Sequence, residues 1–329
     1  MCTGTQFGFF CESTKSQLKF FMNPDIFQHP AHHIQAWDSH EFQEAGIEVS
    51  VLRGDLFHPW IQGNKWYKLR HFVEKCLIEN NPGFISIGGA WSNHLLALAN
   101  IASNLGKTSR FLVRGEIHEW DKAPAVQQMR SFGAELRPVS RNAFKEILSG
   151  KLDMKTIWPE SGDDCAVPLG ASATETVKHV ADWAKHISGI ADFTDILIPA
   201  ASGGTSAGFL AGLNKNCRLH SVEVLRSGGG IELESLRMLS ESKLEQSPEL
   251  IWHDQYHFGG YAKQNSELFD FQLALEQNFQ LPTEHVYSGK LFFAVSDLAR
   301  KRVFSEGSKI LTIHTGGLFP WNGIHISKI

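Results

Sequence analysis

Gly63-Asn64-Lys65-Trp66-Tyr67-Lys68-Leu69 is the stretch on which the reading of this chain turns. Two lysines stand three residues apart, after a Gly-Asn turn signal and at the expected start of a helix. Residues at that spacing are neighbours on one helix face. An ammonium beside a second cation is destabilised, which frees its amine as a nucleophile toward a carbonyl. That pairing suits a lysine that forms a Schiff base. Taken alone, two helix lysines are more often solvated surface groups. The weight therefore rests on what surrounds them.

Upstream, residues 23–45 carry weak helical signals, and the alternating run at 47–52 predicts a strand. Downstream, the pattern predicts a helix over 66–79, stopped by Asn80-Asn81-Pro82-Gly83. A buried strand follows at 84–87, then a Gly88-Gly89 turn. The next helix starts near Ser92-Asn93, with Leu95, Leu98, Ala99, Ala102 and Leu105 at helical spacing before Gly106. Strands are expected at 111–113 and 135–139, with a helix at 125–132 between them. A second series places a long helix at 171–187, a strand at 195–199, a glycine turn, a helix at 205–213 and a strand at 219–225. A helix at 288–301 and a strand at 310–314 close it. Such alternation argues for parallel sheets in two α/β lobes, with the ligand in the cleft between them.

The bulk numbers agree with a two-domain globular protein. The chain has 329 residues, 42% hydrophobic and 20% charged, an ordinary soluble composition. A formal net charge of -4 offers no global positive field, so neither nucleic acid nor an anionic membrane is expected as partner. No apolar run reaches membrane-spanning length. The five cysteines, Cys2, Cys11, Cys76, Cys165 and Cys217, are odd in number and widely spaced. They predict neither a disulfide framework nor a zinc site, and a reducing compartment. The 16 histidines include no H-E-x-x-H, so no metal is expected. Residues 1–22 contain Phe7, Phe9 and Phe10 without a preceding basic region, which argues against a signal peptide. They read as a loose extension, with Met22 an alternative start.

Four further stretches can carry chemistry. Ala201-Ser202-Gly203-Gly204-Thr205-Ser206-Ala207-Gly208 lies between strand and helix, where backbone N–H groups and the helix N-terminus close around an anion. Its glycine spacing matches neither a Walker A loop nor G-x-G-x-x-G. It suits a single phosphate better than a nucleotide, or is simply a tight turn. Gly88-Gly89-Ala90-Trp91-Ser92-Asn93-His94 is a second anion site, suited to a carboxylate, although an N-cap serine explains Ser92 as well. Tyr287-Ser288-Gly289-Lys290 and His314-Thr315-Gly316-Gly317 complete the set. Tyr261, after Phe258-Gly259-Gly260, and Tyr287 stand out among only four tyrosines, though a tyrosine beside glycines is more often a core ring.

Five of these stretches, in order and spacing, resemble the motifs of the pyridoxal-phosphate enzymes of the D-cysteine desulfhydrase and 1-aminocyclopropane-1-carboxylate deaminase family. The family's G-N-K-x-R-K-L is matched by residues 63–69 and its G-G-x-Q-S-N-H by 88–94. Its G-G-T-x-A-G loop is matched by 203–208, its Y-[TE]-G-K by 287–290 and its H-T-G-G by 314–317. The resemblance spans about residues 51–321. It implies the tryptophan-synthase-β-like fold (fold type II), with two parallel-sheet α/β domains and the site between them. Residues 1–66 and 171–329 would form the larger domain that binds pyridoxal phosphate. Residues 67–170 would form the smaller one, carrying the Ser-Asn-His turn.

By the same resemblance Lys65 would hold the cofactor and shuttle a proton. Lys68 would face the phosphate with Ser202, Gly203, Gly204 and Thr205. Asn93 would bond the phenolate oxygen, and Ser92 would meet the substrate carboxylate. Tyr261 and Tyr287 would line the substrate side. Thr315, with Ser288 close by, would face the pyridine nitrogen. A hydroxyl there leaves the nitrogen largely unprotonated, which suits β-elimination, whereas the ring-opening deaminases carry Glu at the position of Ser288. The resemblance thus implies a cytoplasmic, homodimeric lyase acting on a small amino acid such as D-cysteine. Ring-opening deamination and a non-catalytic cofactor-binding role are the alternatives. The chain departs from the family at Tyr67, Arg70, Trp91 and Leu96. Those departures put the family's known substrates in doubt more than its cofactor.

Overall fold

The computed structural model describes residues 30–120 and 122–319. The N-terminal extension with Met22, together with Cys2, Cys11 and the end of the family-like region at Trp321, lies outside the described residues. In chain order the strands are β1 (Ile34–Ala36), β2 (Glu48–Arg53), β3 (Gly83–Gly89), β4 (Thr108–Arg114) and β5 (Glu135–Val139), then β6 (Cys165–Val167), β7 (Asp195–Ala200), β8 (Arg218–Glu223), β9 (Glu249–His253) and β10 (Lys309–His314). They form a six-stranded sheet, β1-β2-β10-β7-β8-β9, and a four-stranded sheet, β5-β4-β3-β6. All pairings are parallel except the edge pair β1–β2.

Parallel strands covered on both faces read as continuous apolar runs. In β7 all six residues are buried. Ile196 and Ile198 point to one face, into a core with Trp183 of helix Val177–His186 and Phe209 of helix Gly204–Gly212. Leu197 points to the other face, into a core with Leu291 and Phe292 of helix Ser288–Arg300. This period-2 alternation places a helical layer on each side of the large sheet.

Most expected elements lie within a few residues of their observed bounds. The first lysine helix starts earlier than expected, at Asn64, and runs to Lys68. It meets helix Arg70–Ile78 at Leu69, whose backbone stays right-handed. The long helix expected at 171–187 is corrected: only Val177–His186 is α-helical. Before it, Gly170 and Ala171 have positive φ, and Ser172 and Ala173 are extended. That irregular crossing between the sheets brings the Ser172 hydroxyl to Lys68. Helices Arg141–Leu148, Gly230–Ser242 and Ser266–Phe279, and strands β1, β6 and β9, are additions to the expected set.

The decisive placement concerns strand ends. Residues 63–69 follow β2, the Ser92 turn follows β3, the Ser202 loop follows β7 and Thr315 follows β10. All four segments therefore lie beyond the carboxyl ends of parallel strands, where ligand sites of α/β proteins form.

Candidate active site

Two close approaches assemble the site. Gly63 has φ 52°, and a Cβ there would lie on the Thr315 backbone. Only glycine allows the lysine stretch to pack this tightly against the His314–Gly317 turn. Gln62 then locks the two together, its Oε1 accepting from Gly317 N–H at 2.7 Å and Leu318 N–H at 3.1 Å. At Gly203, φ is 78° and a Cβ would stand 2.9 Å from the Ser235 nitrogen. The loop turns there so that helix Gly204–Gly212 points its N-terminus back toward the lysines.

The result is a cavity of about 390 Å³. Of the residues singled out from sequence, Lys65, Ser92, Asn93, Ser202, Gly203, Thr205, Tyr261, Tyr287 and Thr315 line it. The structure brings these nine together from segments spread over most of the chain. Lys68, Gly204 and Ser288 do not line it.

Lys65 is half-buried, and its amine donates to Asn64 Oδ1 at 2.9 Å. Asn64 is held in turn by its Nδ2 donating to Thr205 Oγ1 at 2.9 Å. Burial inside the cleft pushes the Lys65 amine down to about 8. Lys68 is 1% exposed and lies directly behind the glycine loop, donating to Ser172 Oγ and, at 3.4 Å, to Ser202 Oγ. Burial, and secondly the charge of Lys65, hold its amine well below the usual lysine range. Among the described residues it has no carboxylate partner. Both amines are thus depressed, as two neighbouring lysines predict, but the first cause in each case is burial and only the second, at Lys68, is the neighbouring charge.

The Lys65 titration gives a direct expectation. Its folded value lies below the unfolded value of about 10.4, so its charge destabilises the cofactor-free fold below pH about 8. That penalty fades as pH rises from there toward the unfolded value. Cofactor-free wild type should be less stable than Lys65→Met at pH 7, and the gap should close by pH 10. Urea titrations at both pH values measure it. A gap that is constant or widens with pH would overturn the assignment.

Ser92 is the N-cap of helix Asn93–Asn104, its Oγ accepting from Leu95 N–H at 3.3 Å while also lining the cavity. The next residue but one, His94, was not singled out from sequence yet is buried and lines the cavity. Its Nδ1 accepts from Gly170 N–H at 3.3 Å, so Nε2 carries the proton and faces Ser86 Oγ at 2.9 Å. Burial and then the two lysines hold this ring well below the usual histidine range, so it stays neutral. It ties the Ser92 turn to the crossing at Gly170.

Tyr261 sits in a loop where Phe258, Gly259, Gly260 and Ala262 all have positive φ. Lys290 holds that loop in place: its buried amine donates to the carbonyls of Gly260 at 2.7 Å, His257 at 2.9 Å and Val224 at 2.9 Å. The tyrosine stays 46% exposed at the cavity mouth. Tyr287 lies deeper, and burial followed by the neighbouring Tyr261 and Glu284 raises its phenol well above the usual range. Both phenols therefore keep their protons at neutral pH.

Ser288 is where the geometry departs from the expectation. It is completely buried, and its hydroxyl accepts from Glu284 N–H at 3.0 Å and donates to Glu284 Oε1 at 3.0 Å. Glu284 also accepts from the N–H groups of Val286, Tyr287 and Ser288, which caps helix Ser288–Arg300. The hydroxyl is consumed by that cap, so Thr315 is the member of the pair that reaches the cavity. Of the family departures, Trp91 and Leu96 line the cavity. Tyr67 does not; it is stacked on Trp183 with ring centroids 4.8 Å apart.

Comparison with known proteins follows the same lines. Residues 30–316 match the family model described as pyridoxal-phosphate dependent enzyme. A Pyrococcus horikoshii protein, named provisionally as a 1-aminocyclopropane-1-carboxylate deaminase, is 30% identical over 292 residues, 84% of this chain and 86% of that protein. A mitochondrial Arabidopsis thaliana protein named as a bifunctional D-cysteine desulfhydrase/1-aminocyclopropane-1-carboxylate deaminase is 24% identical over 298 residues, 83% of this chain and 73% of that one. The crystal structure of an ACC deaminase homologue superposes with a TM-score of 0.76 at 27% identity, covering 91% of this chain and 96% of that chain.

Proposed function

The chain belongs to the pyridoxal-phosphate-dependent enzymes, in the group of the 1-aminocyclopropane-1-carboxylate deaminases and D-cysteine desulfhydrases, and from that premise we propose that it catalyses β-elimination from a small amino acid of the D-cysteine type. The residues present fit the cofactor. A buried lysine amine without an acidic partner, Lys68, stands behind a glycine loop and a helix N-terminus. A phosphate group supplies the anion that this arrangement lacks. Bound pyridoxal phosphate provides an electron sink conjugated to the substrate's α-carbon.

In this reading Lys65, neutral for a larger fraction of the time than an exposed lysine, binds the cofactor and moves the proton at the α-carbon. Ser202, Gly203, Gly204, Thr205 and Lys68 would hold the phosphate. Asn93 would bond the cofactor's phenolate oxygen. Ser92 and the backbone after it orient the substrate carboxylate. Tyr261 and Tyr287, both protonated, place the side chain and hand on protons. In the same reading the described residues from 67 to 170 would form the smaller domain, carrying the Ser92 turn, and the other described residues the larger.

The observation that carries elimination is the cavity's chemistry. Thr315 reaches it with a hydroxyl, and no carboxylate lines it among the described residues. A hydroxyl leaves the ring nitrogen largely unprotonated, a weaker sink that suits a reaction in which the leaving group takes the electrons. The second reading, ring-opening of 1-aminocyclopropane-1-carboxylate, is supported by the name of the Pyrococcus relative, while the Arabidopsis relative is named for both reactions. The two are separated by product. D-cysteine and water give pyruvate, ammonia and hydrogen sulfide; the cyclic amino acid and water give 2-oxobutanoate and ammonia. Sulfide and pyruvate from D-cysteine are expected. Formation of 2-oxobutanoate with no sulfide would overturn the first reading, and no keto acid from either compound would overturn both.

A further inference from the structure

We propose that a cationic recess at the mouth of the cavity binds a second, anionic group on the substrate, so that the preferred substrates are amino acids with an anionic side chain. This rests on the reading of the cavity as an amino-acid site. The recess has a volume of about 820 Å³ and shares Gly89, Trp91, Arg114 and Tyr261 with the cavity. A molecule anchored at the Ser92 turn can therefore reach into it without leaving its seat.

Its walls bring cations from three separate segments. Arg114 ends β4, Lys122 lies just past the short helix Ile117–Trp120, and Arg141 and Lys145 come from helix Arg141–Leu148. Arg141 and Lys145 are four residues apart and so share a helix face. Phe144 and Leu148, on the adjoining stripe of the same helix, line the cavity instead. One helix thus presents an apolar edge to the reacting end and a cationic edge to the recess. The Arg114 guanidinium is set between the two, 5.2 Å from the centre of the Phe144 ring.

Among the described residues, Arg114, Lys122, Arg141 and Lys145 form no ion pair. Some surface cations elsewhere are paired, as Arg237 is with Glu234 and Glu241. Unpaired like charges around one concavity repel and hold a positive potential there. The ordinary zwitterionic amino acid is neutral and its carboxylate is taken at the Ser92 turn, so the surplus charge matches an anion further out on the side chain.

The test uses the pyridoxal-phosphate-loaded protein, with O-phosphoserine and serine as probes, each as D and L enantiomers. Calorimetric titration should show O-phosphoserine of one enantiomer binding at least ~10-fold tighter than the matching serine. The double variant Arg141→Gln, Lys145→Gln should lose most of that preference while its affinity for serine and its melting temperature stay unchanged. Equal affinity for the two probes, a preference that survives the double variant, or equally tight binding of inorganic phosphate alone would each overturn the proposal. Keto-acid production from D-cysteine and 1-aminocyclopropane-1-carboxylate is measured in parallel. Loss of that activity with the charge-dependent preference intact would remove the proposed reaction and leave the recess standing. D-cysteine turnover without any anion preference would do the reverse.

Discussion

Lys65→Ala is expected to lower turnover by at least ~10³-fold, since both the covalent attachment and the proton transfer at the α-carbon would go with the amine. The long-wavelength absorbance of lysine-bound cofactor should vanish from the variant after dialysis. The fold should persist. Lys65 makes one side-chain hydrogen bond, to its own neighbour Asn64, and its charge is disfavoured by burial. Removing it therefore deletes no buried network. Lys68→Ala should behave differently. It leaves the covalent band in place but weakens retention of the cofactor, because its amine lies behind the glycine loop and outside the cavity lining. If the Lys68 variant loses the band and the Lys65 variant keeps it, the roles of the two lysines are exchanged.

Ser288→Glu should collapse stability before it alters reaction choice. Judged from sequence, a carboxylate at this position would sit at the pyridine nitrogen and favour its protonated form. The structure makes that unattainable without rebuilding the helix start. Ser288 is fully buried, and its hydroxyl both accepts from and donates to Glu284. A second carboxylate would be pressed against the first, with the donor to Glu284 gone. Two adjoining buried carboxyls cannot both ionise cheaply, so one must hold a proton. Disrupting such a buried network costs roughly 3–5 kcal/mol. The sign with pH follows: the shared proton binds more easily as pH falls, so the deficit should shrink from pH 8 to pH 5. Urea denaturation of Ser288→Glu, Ser288→Ala and wild type at both values measures this. The alanine variant should lose only the roughly 1–3 kcal/mol of an unsatisfied buried group. A Ser288→Glu protein as stable as wild type at pH 8, with altered turnover, would return the residue to the catalytic site.

These two residues mark how far the sequence could be read. Lys65 was legible because its evidence is local: a glycine turn, a helix start and a second lysine on the same face. The strand–glycine–helix units at 84–94 and 195–213 were legible for the same reason, since a short apolar run, a glycine pair and a 3.6-residue repeat carry their own geometry. The stretch between 226 and 287 was mostly silent. Its two helices and β9 carry less regular apolar patterns, and only the packing of helix Ser266–Phe279 against helix Ser288–Arg300 reveals what they support. Lys290 was quoted only as part of a motif. That its amine ties two carbonyls of the Tyr261 loop to Val224, just past the end of β8, depends on contacts more than 29 residues away in sequence.

By itself the sequence determined that this chain builds parallel α/β units whose strands end in anion-binding turns, and that one lysine among them is placed for carbonyl chemistry. Those properties depend on residues within one turn of each other. Which of Thr315 and Ser288 meets the cavity was decided only by tertiary structure, because Glu284 sets the start of its helix and uses up the serine hydroxyl. The cationic recess was decided there as well. Its charges come from β4, the loop after it and helix Arg141–Leu148, and only the pairing of β4 with β5 carries those segments to one edge of the sheet.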